Sequence, residues 1–247
     1  MTETHDHPLG IDAPARYQDS QGRVIYRASA FGRCPRALVA AARGEQAQPY
    51  PEWFQEVLQE GKDYESQIIA RWEQAQREAG SPDIGGLVVA DRQRMVEMEV
   101  MDNVWIRGSI DGLTYVGVDT ALVEVKKFRD SGWDAFLTQG VEVLPPYPWQ
   151  IAFYMHALEL DDCLLVGGHL DKGGELVELH THVLSMPPLP LKAIVKRIRE
   201  IERMIGIGLG AKEVKCTGEY PCPYYLLHDE PVDPETGEPV NQDSAVF

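Results

Sequence analysis

The apolar positions along this chain change spacing several times, and each change marks an element. Trp53, Phe54, Val57, Ile68, Ile69 and Trp72 recur at helical intervals and predict a long helix over 51–79. Ahead of it, Ser29 opens a run of small and apolar residues that predicts a helix through about Ala42. Pro35 then sits in its first turn or starts a second segment. Five strand-like runs follow: Leu87–Ala90, Met95–Met101, Val104–Ile110, Leu113–Val116 and Leu122–Val125. Pro146 and Pro148 open a predicted helix over 146–160. Cys163–Leu170 and Leu176–Leu184 read as two further strands. Leu191, Ile194, Val195, Ile198, Ile201 and Ile205 then share one face of a predicted helix over 189–206. The opposite side carries Lys192, Lys196, Arg199 and Arg203, which form either a solvated face or a track for a phosphate backbone.

This order predicts an α/β domain with a mixed central β-sheet flanked by helices. The ends read as tails: residues 1–20 are polar, and 229–247 are rich in Pro, Asp, Glu and Gly. One domain over 21–228 lies between them.

Length and composition support that division. A chain of 247 residues can bury a sizeable core, and 44% apolar with 25% charged residues excludes wholesale disorder and fibrous repeats. No apolar run approaches a membrane span, and the N-terminus lacks the pattern of an export signal, so the expected location is the cytoplasm.

Net charge is −16, which argues against unspecific nucleic-acid binding by the chain as a whole. The two tails carry −9 of it and leave −7 for the middle. Within that middle, Arg23, Arg27, Arg33, Arg36 and Arg43 fall in a stretch without acids. They are either scattered or gathered into a basic surface.

The candidate chemistry lies between 104 and 126, expected as a hairpin that turns at Gly117-Val118-Asp119-Thr120. Asp111 ends one strand in Gly108-Ser109-Ile110-Asp111. Glu124 and Lys126 share a face of the partner strand, with Val123 and Val125 pointing into the core. Pairing can bring Asp111 beside Glu124, and two close carboxylates call for a cation between them. Magnesium or manganese takes such oxygen ligands. A lysine on the same face is then placed beside a metal-bound water. The bland alternative is a surface ion pair between Glu124 and Lys126, with Asp111 in a turn. Farther on, Gln150 and Tyr154 stand one helical turn apart, where they reach a substrate or the lysine, or simply pack.

Asp111, then Glu124-x-Lys126, then a helical Gln150-x-x-x-Tyr154 resembles the RecB-like branch of the PD-(D/E)XK nuclease superfamily. Upstream, Gly61-Lys62-Asp63-Tyr64-Glu65 is similar to that branch's glycine followed by His or Glu. Ser29 through Cys34-Pro35-Arg36 is similar to its opening segment. The resemblance implies a restriction-endonuclease-like core and metal-dependent cleavage of DNA. It implies that Asp111, Glu124 and Glu65 bind metal, that Lys126 activates water, and that Gln150 and Tyr154 steady the substrate.

Cys34, Cys216 and Cys222 resemble the cysteine pattern of the CRISPR-associated and phage exonucleases of this branch. There, four cysteines hold a [4Fe-4S] cluster. The remaining family cysteine falls on Glu213 here. Three readings stay open: a cluster completed by Glu213, His228 or an outside ligand; a zinc site; or plain structural cysteines. Cys163, in an apolar run, reads as core. His180 and His182 share a strand face without a visible third ligand, and His5 and His7 belong to the tail.

The expected function is a magnesium- or manganese-dependent DNA exonuclease acting in recombination, repair or replication, with DNA and recombination proteins as partners. The rivals are an endonuclease of the same fold and a non-catalytic acidic DNA mimic or partner-binding module.

Overall fold

The computed structural model describes residues 14–45, 52–78, 89–116, 119–143 and 146–214. Among the described residues, eight strands form two mixed four-stranded sheets, with helices packed against them. The first sheet has the order β1 (Arg16–Gln18), β2 (Val24–Arg27), β4 (Val104–Ser109), β3 (Met95–Met101). The second has the order β5 (Gly112–Val116), β6 (Asp119–Phe128), β7 (Asp162–Leu170), β8 (Leu176–Leu184). In each sheet the central pair is parallel and both outer pairs are antiparallel.

The expected hairpin over 104–126 is therefore corrected. β4 and β5 lie in different sheets. Both edges of β4 are already taken, by β2 and β3, so the chain must leave that sheet after Ser109. The true hairpin is β5–β6, with Gly112 opposite Val123 and Thr114 opposite Ala121. Asp111 is the hinge between the sheets, and continuing the β5–β6 register places it opposite Glu124.

β6 is buried on both faces. Ala121, Val123 and Val125 enter one core with Ile68, Ile69, Trp72, Leu164 and Val166; Leu122 enters the other with Cys163 and Leu165. A parallel central strand covered on both sides reads as a nearly unbroken apolar run, which makes Glu124, fully buried within it, conspicuous. Two glycines of β7 let helices close on it. A Cβ on Gly167 would lie 2.1 Å from Phe136, and one on Gly168 would lie 2.6 Å from Ile68.

Helix α1 (Pro35–Ala42) starts later than the composition of 29–34 suggests. Pro35 takes the first helical position, where its missing N–H costs nothing, and Cys34 is the residue before it. Helix α2 spans Glu52–Glu78. The link from β6 to parallel β7 runs through α3 (Asp130–Gln139) and α4 (Pro146–Leu158). Helix α5 (Leu191–Gly206) buries Ile194, Ile198 and Ile201, each contributing about 1.5–3 kcal/mol. Its basic stripe, Lys192, Lys196, Arg199 and Arg203, is exposed.

The tail expected over 1–20 is corrected at its end. β1 pairs with β2, and Arg16 grips Glu202 of α5 through two hydrogen bonds of 2.9 and 3.1 Å. Tyr26 Oη donates to the same carboxylate at 2.6 Å. Residues 14–20 thus pack onto the domain, because a half-buried carboxylate on α5 takes two of its donors from them. Residues 229–247 lie outside the described residues.

Three of the five arginines of 23–44 are engaged at separate places in the fold. Arg23 pairs with Asp19 at 2.7 Å and with Glu97 at 3.1 Å. Arg36 is buried, and its Nε donates to Val214 O at 2.7 Å. Arg43 donates to the carbonyls of Gly208 and Leu209. Three of the five thus hold separate parts of the fold together. Among the described residues no helix is long and apolar enough to cross a membrane.

Candidate active site

The site forms where β6 passes the joint between the sheets. Strand alternation sends Glu124 and Lys126 to the same side of β6, as the sequence pattern requires. Lys126 Nζ donates to Glu124 Oε1. Asp111 Oδ2 accepts the backbone N–H of Val125 at 2.7 Å. Glu65 comes in from α2, and its Oε1 accepts from Gln93 Nε2 at 2.7 Å.

The bland alternative for Glu124 and Lys126, an exposed ion pair, does not describe what is seen. The Glu124 side chain is 1% exposed and that of Lys126 is 16% exposed. Glu124 Oε2 is buried and has no hydrogen-bond partner among the described residues. A buried carboxylate oxygen left in this state costs free energy, and a bound cation relieves it.

The electrostatics point the same way. Burial pushes the Glu124 carboxyl up to about 8, and the charges of Asp111 and Glu65 add to this against the opposing ammonium of Lys126. Burial likewise raises Asp111, with Lys126 opposing. Glu65 is raised by burial and by Asp111. Three carboxylates thus sense one another at one place, each favouring its proton for want of positive charge. Lys126 itself is pushed well above the usual lysine range. Its burial works against this, but Glu124 and Asp111 prevail.

As they stand, no three His, Cys, Asp or Glu side chains among the described residues are gathered tightly enough to cage a metal. Two carboxylates still fit a magnesium-type ion, which fills its other positions with water and substrate phosphate. Asp111 and Glu124 are the residues that could hold one, with Glu65 near them.

Tyr154 is corrected from a substrate contact to a support. It is 2% exposed, and its hydroxyl donates to the carbonyl of Ser109 at 2.7 Å. Gln150 hydrogen-bonds the same phenol, and the amide is the less buried of the two. Two residues escaped the sequence reading. Tyr147 places its ring 5.0 Å from Lys126 Nζ, a cation–π contact that fixes the ammonium from α4. Its signal was a position three before Gln150, on the same helix face. Gln93, which holds Glu65, left no signal of spacing at all.

Of the possible cluster ligands, Cys34 is buried against Ala37, Ala40 and Ala211. Glu213 Oε2 accepts the N–H of Gly210 at 2.5 Å. Cys216, Cys222 and His228 lie outside the described residues. Cys163 is fully buried in the core, as its apolar surroundings predict. His182 Nε2 lies 2.9 Å from Phe136 O, and its ring packs against Phe136 and His180, a structural arrangement.

No protein-family model and no curated protein matches the chain. Among solved structures, it is similar to a phage-related exonuclease from Haemophilus somnus 129PT. The identity is 16%, over 71% of this chain and 80% of that one, with a TM-score of 0.50. The fold is restriction-endonuclease-like. An alkaline exonuclease from Laribacter hongkongensis is similar at 18% identity, over 73% and 89% of the two chains, with a TM-score of 0.47.

Proposed function

We propose that the protein is a magnesium- or manganese-dependent deoxyribonuclease that degrades DNA from its ends, in recombination, repair or replication. One observation carries this reading: the unpartnered buried oxygen of Glu124, with Asp111 beside it and the ammonium of Lys126 on the same face.

Each residue then has a task. Asp111 and Glu124 hold the divalent ion, and Glu65 stands by to complete the set. The ion, when bound, polarises the scissile phosphate and makes water more acidic. Lys126 orients the attacking water and offsets the charge that builds on the phosphate. Tyr147 and the Glu124 carboxylate keep the ammonium in place. Tyr154 fixes the chain at Ser109, two residues before Asp111. Gln150 is left to meet the substrate. The preference for ends draws on the exonuclease of similar fold.

The test is digestion of end-labelled single-stranded, duplex and closed circular DNA, in EDTA and with magnesium or manganese. Wild type should shorten linear DNA only with metal and leave circles intact. Lys126→Ala and Glu124→Ala should each lose at least about a hundredfold in rate. Cutting of closed circles would assign an endonuclease. Binding without cleavage would assign a non-catalytic module, and undiminished variants would dissolve the site.

A further inference from the structure

The turn between Ala90 and β3 has an unusual backbone. Asp91 and Gln93 both take left-handed conformations, with φ of 50° and 57°. Glycine and asparagine adopt this region readily; a longer side chain such as glutamine does so only under constraint. Non-glycine residues held this way gather at functional sites, where surrounding contacts over-determine them.

Here the constraints are visible. Gln93 N–H donates to Ile110 O at 3.0 Å, and Ile110 N–H donates to Arg94 O at 3.1 Å. The turn is thereby stitched to the residue just before Asp111. On the helix side, Gln93 Nε2 reaches Glu65 Oε1 at 2.7 Å. One residue thus bridges α2 and the end of β4, the two elements that deliver Glu65 and Asp111.

We infer that Gln93 is a positioning residue that holds the Glu65 carboxylate aimed at the cation site. The strained backbone is what sets its amide there. This deepens the proposed function and rests on it. A partner that orients a ligand from behind in this way is worth about ten- to a hundredfold in metal affinity.

The test uses the full chain and titrates Mn2+, following the free ion by electron paramagnetic resonance. Thermal melting of the metal-free protein is measured in parallel. Wild type should bind Mn2+; if it does not, the proposed function itself falls. Gln93→Ala removes the amide and keeps the strain. Gln93→Gly removes the amide and relieves the strain, so it folds even where the alanine variant does not. Both should weaken Mn2+ binding about tenfold, although the Gln93→Gly variant should melt no lower than wild type. In a Glu65→Ala background, Gln93→Gly should change Mn2+ binding no further, because Gln93 acts through Glu65. Wild-type affinity in the Gln93→Gly variant, or a further tenfold loss in the Glu65→Ala background, would overturn the inference while leaving the metal site standing.

Discussion

Asp111 and Val125 are joined by a side-chain-to-backbone hydrogen bond of 2.7 Å. It ties the carboxylate to the backbone N–H of the residue between Glu124 and Lys126, so the residue that leaves one sheet is fixed to a central strand of the other. The bond uses Oδ2, so a cation would be left with Oδ1. Asp111→Asn keeps an oxygen acceptor for the N–H and loses the charge. It should melt close to wild type, yet cleave DNA at least about a hundredfold more slowly. Asp111→Ala loses the acceptor as well, and should cost about 1–3 kcal/mol of stability in denaturant unfolding. Equal activity in the asparagine variant would remove Asp111 from the site.

The carboxylates also set how stability depends on pH. Glu124 stands near 8 in the folded chain, against an ordinary value of 4.5. Between those values the folded chain keeps a proton that the unfolded chain has released. Stability of the metal-free protein therefore falls as pH rises through that window. Asp111 and Glu65, both raised, act in the same direction. Asp19 and Glu97, lowered by their hydrogen bonds to Arg23 and Arg107 against the effect of burial, gain their contribution at more acid pH, outside the window. Melting temperatures in EDTA should decline from about pH 5 to about pH 8, and Mn2+ should flatten the decline. A rising curve in EDTA would mean that Glu124 is ionised and satisfied without a metal.

Tyr154 supports the site from within the core, and Gly108 makes room for it. A Cβ on Gly108 would come within 2.5 Å of both Ala28 Cβ and the Tyr154 hydroxyl oxygen. Gly108→Ala should therefore destabilise the protein by about 1–3 kcal/mol and disturb the Ser109 anchor. Tyr154→Phe removes the bonds of the phenol to Ser109 O and to Gln150 and should cost about 1–2 kcal/mol. Its KM for DNA should stay near that of wild type, since the phenol does not reach solvent. A large rise in KM with unchanged kcat would restore Tyr154 as a substrate contact.

Much of this was legible along the chain. β3 and β8 fall where period-two runs place them, and α2 and α5 follow their apolar spacing. The Asp111, Glu124 and Lys126 set was readable because strand alternation is a local rule. What failed was pairing. Nothing local tells β4 that both its edges will be filled by β2 and β3, so one hairpin was expected where the chain changes sheets. β1 and β2, of three and four residues, are too short to show a period. α3 contains Gly132 and offers only Trp133, Phe136 and Leu137 as large apolar residues; its place comes from packing Trp133 and Phe136 onto β7. Gln93 was invisible because left-handed backbone at glutamine has no composition signal. The ends of the chain misled for another reason: charge marks residues 1–20 as solvated, yet Arg16 spends its charge on Glu202.

With an ion held by Asp111 and Glu124, the joint at Asp111 would make the two sheets and that ion one mechanical system. Whatever pulled Asp111 and Glu124 together would also clasp the two sheets, so gripping such an ion and stiffening the scaffold would be the same event. Loosening the clasp, by contrast, would let the halves shear and scatter the ligands at once.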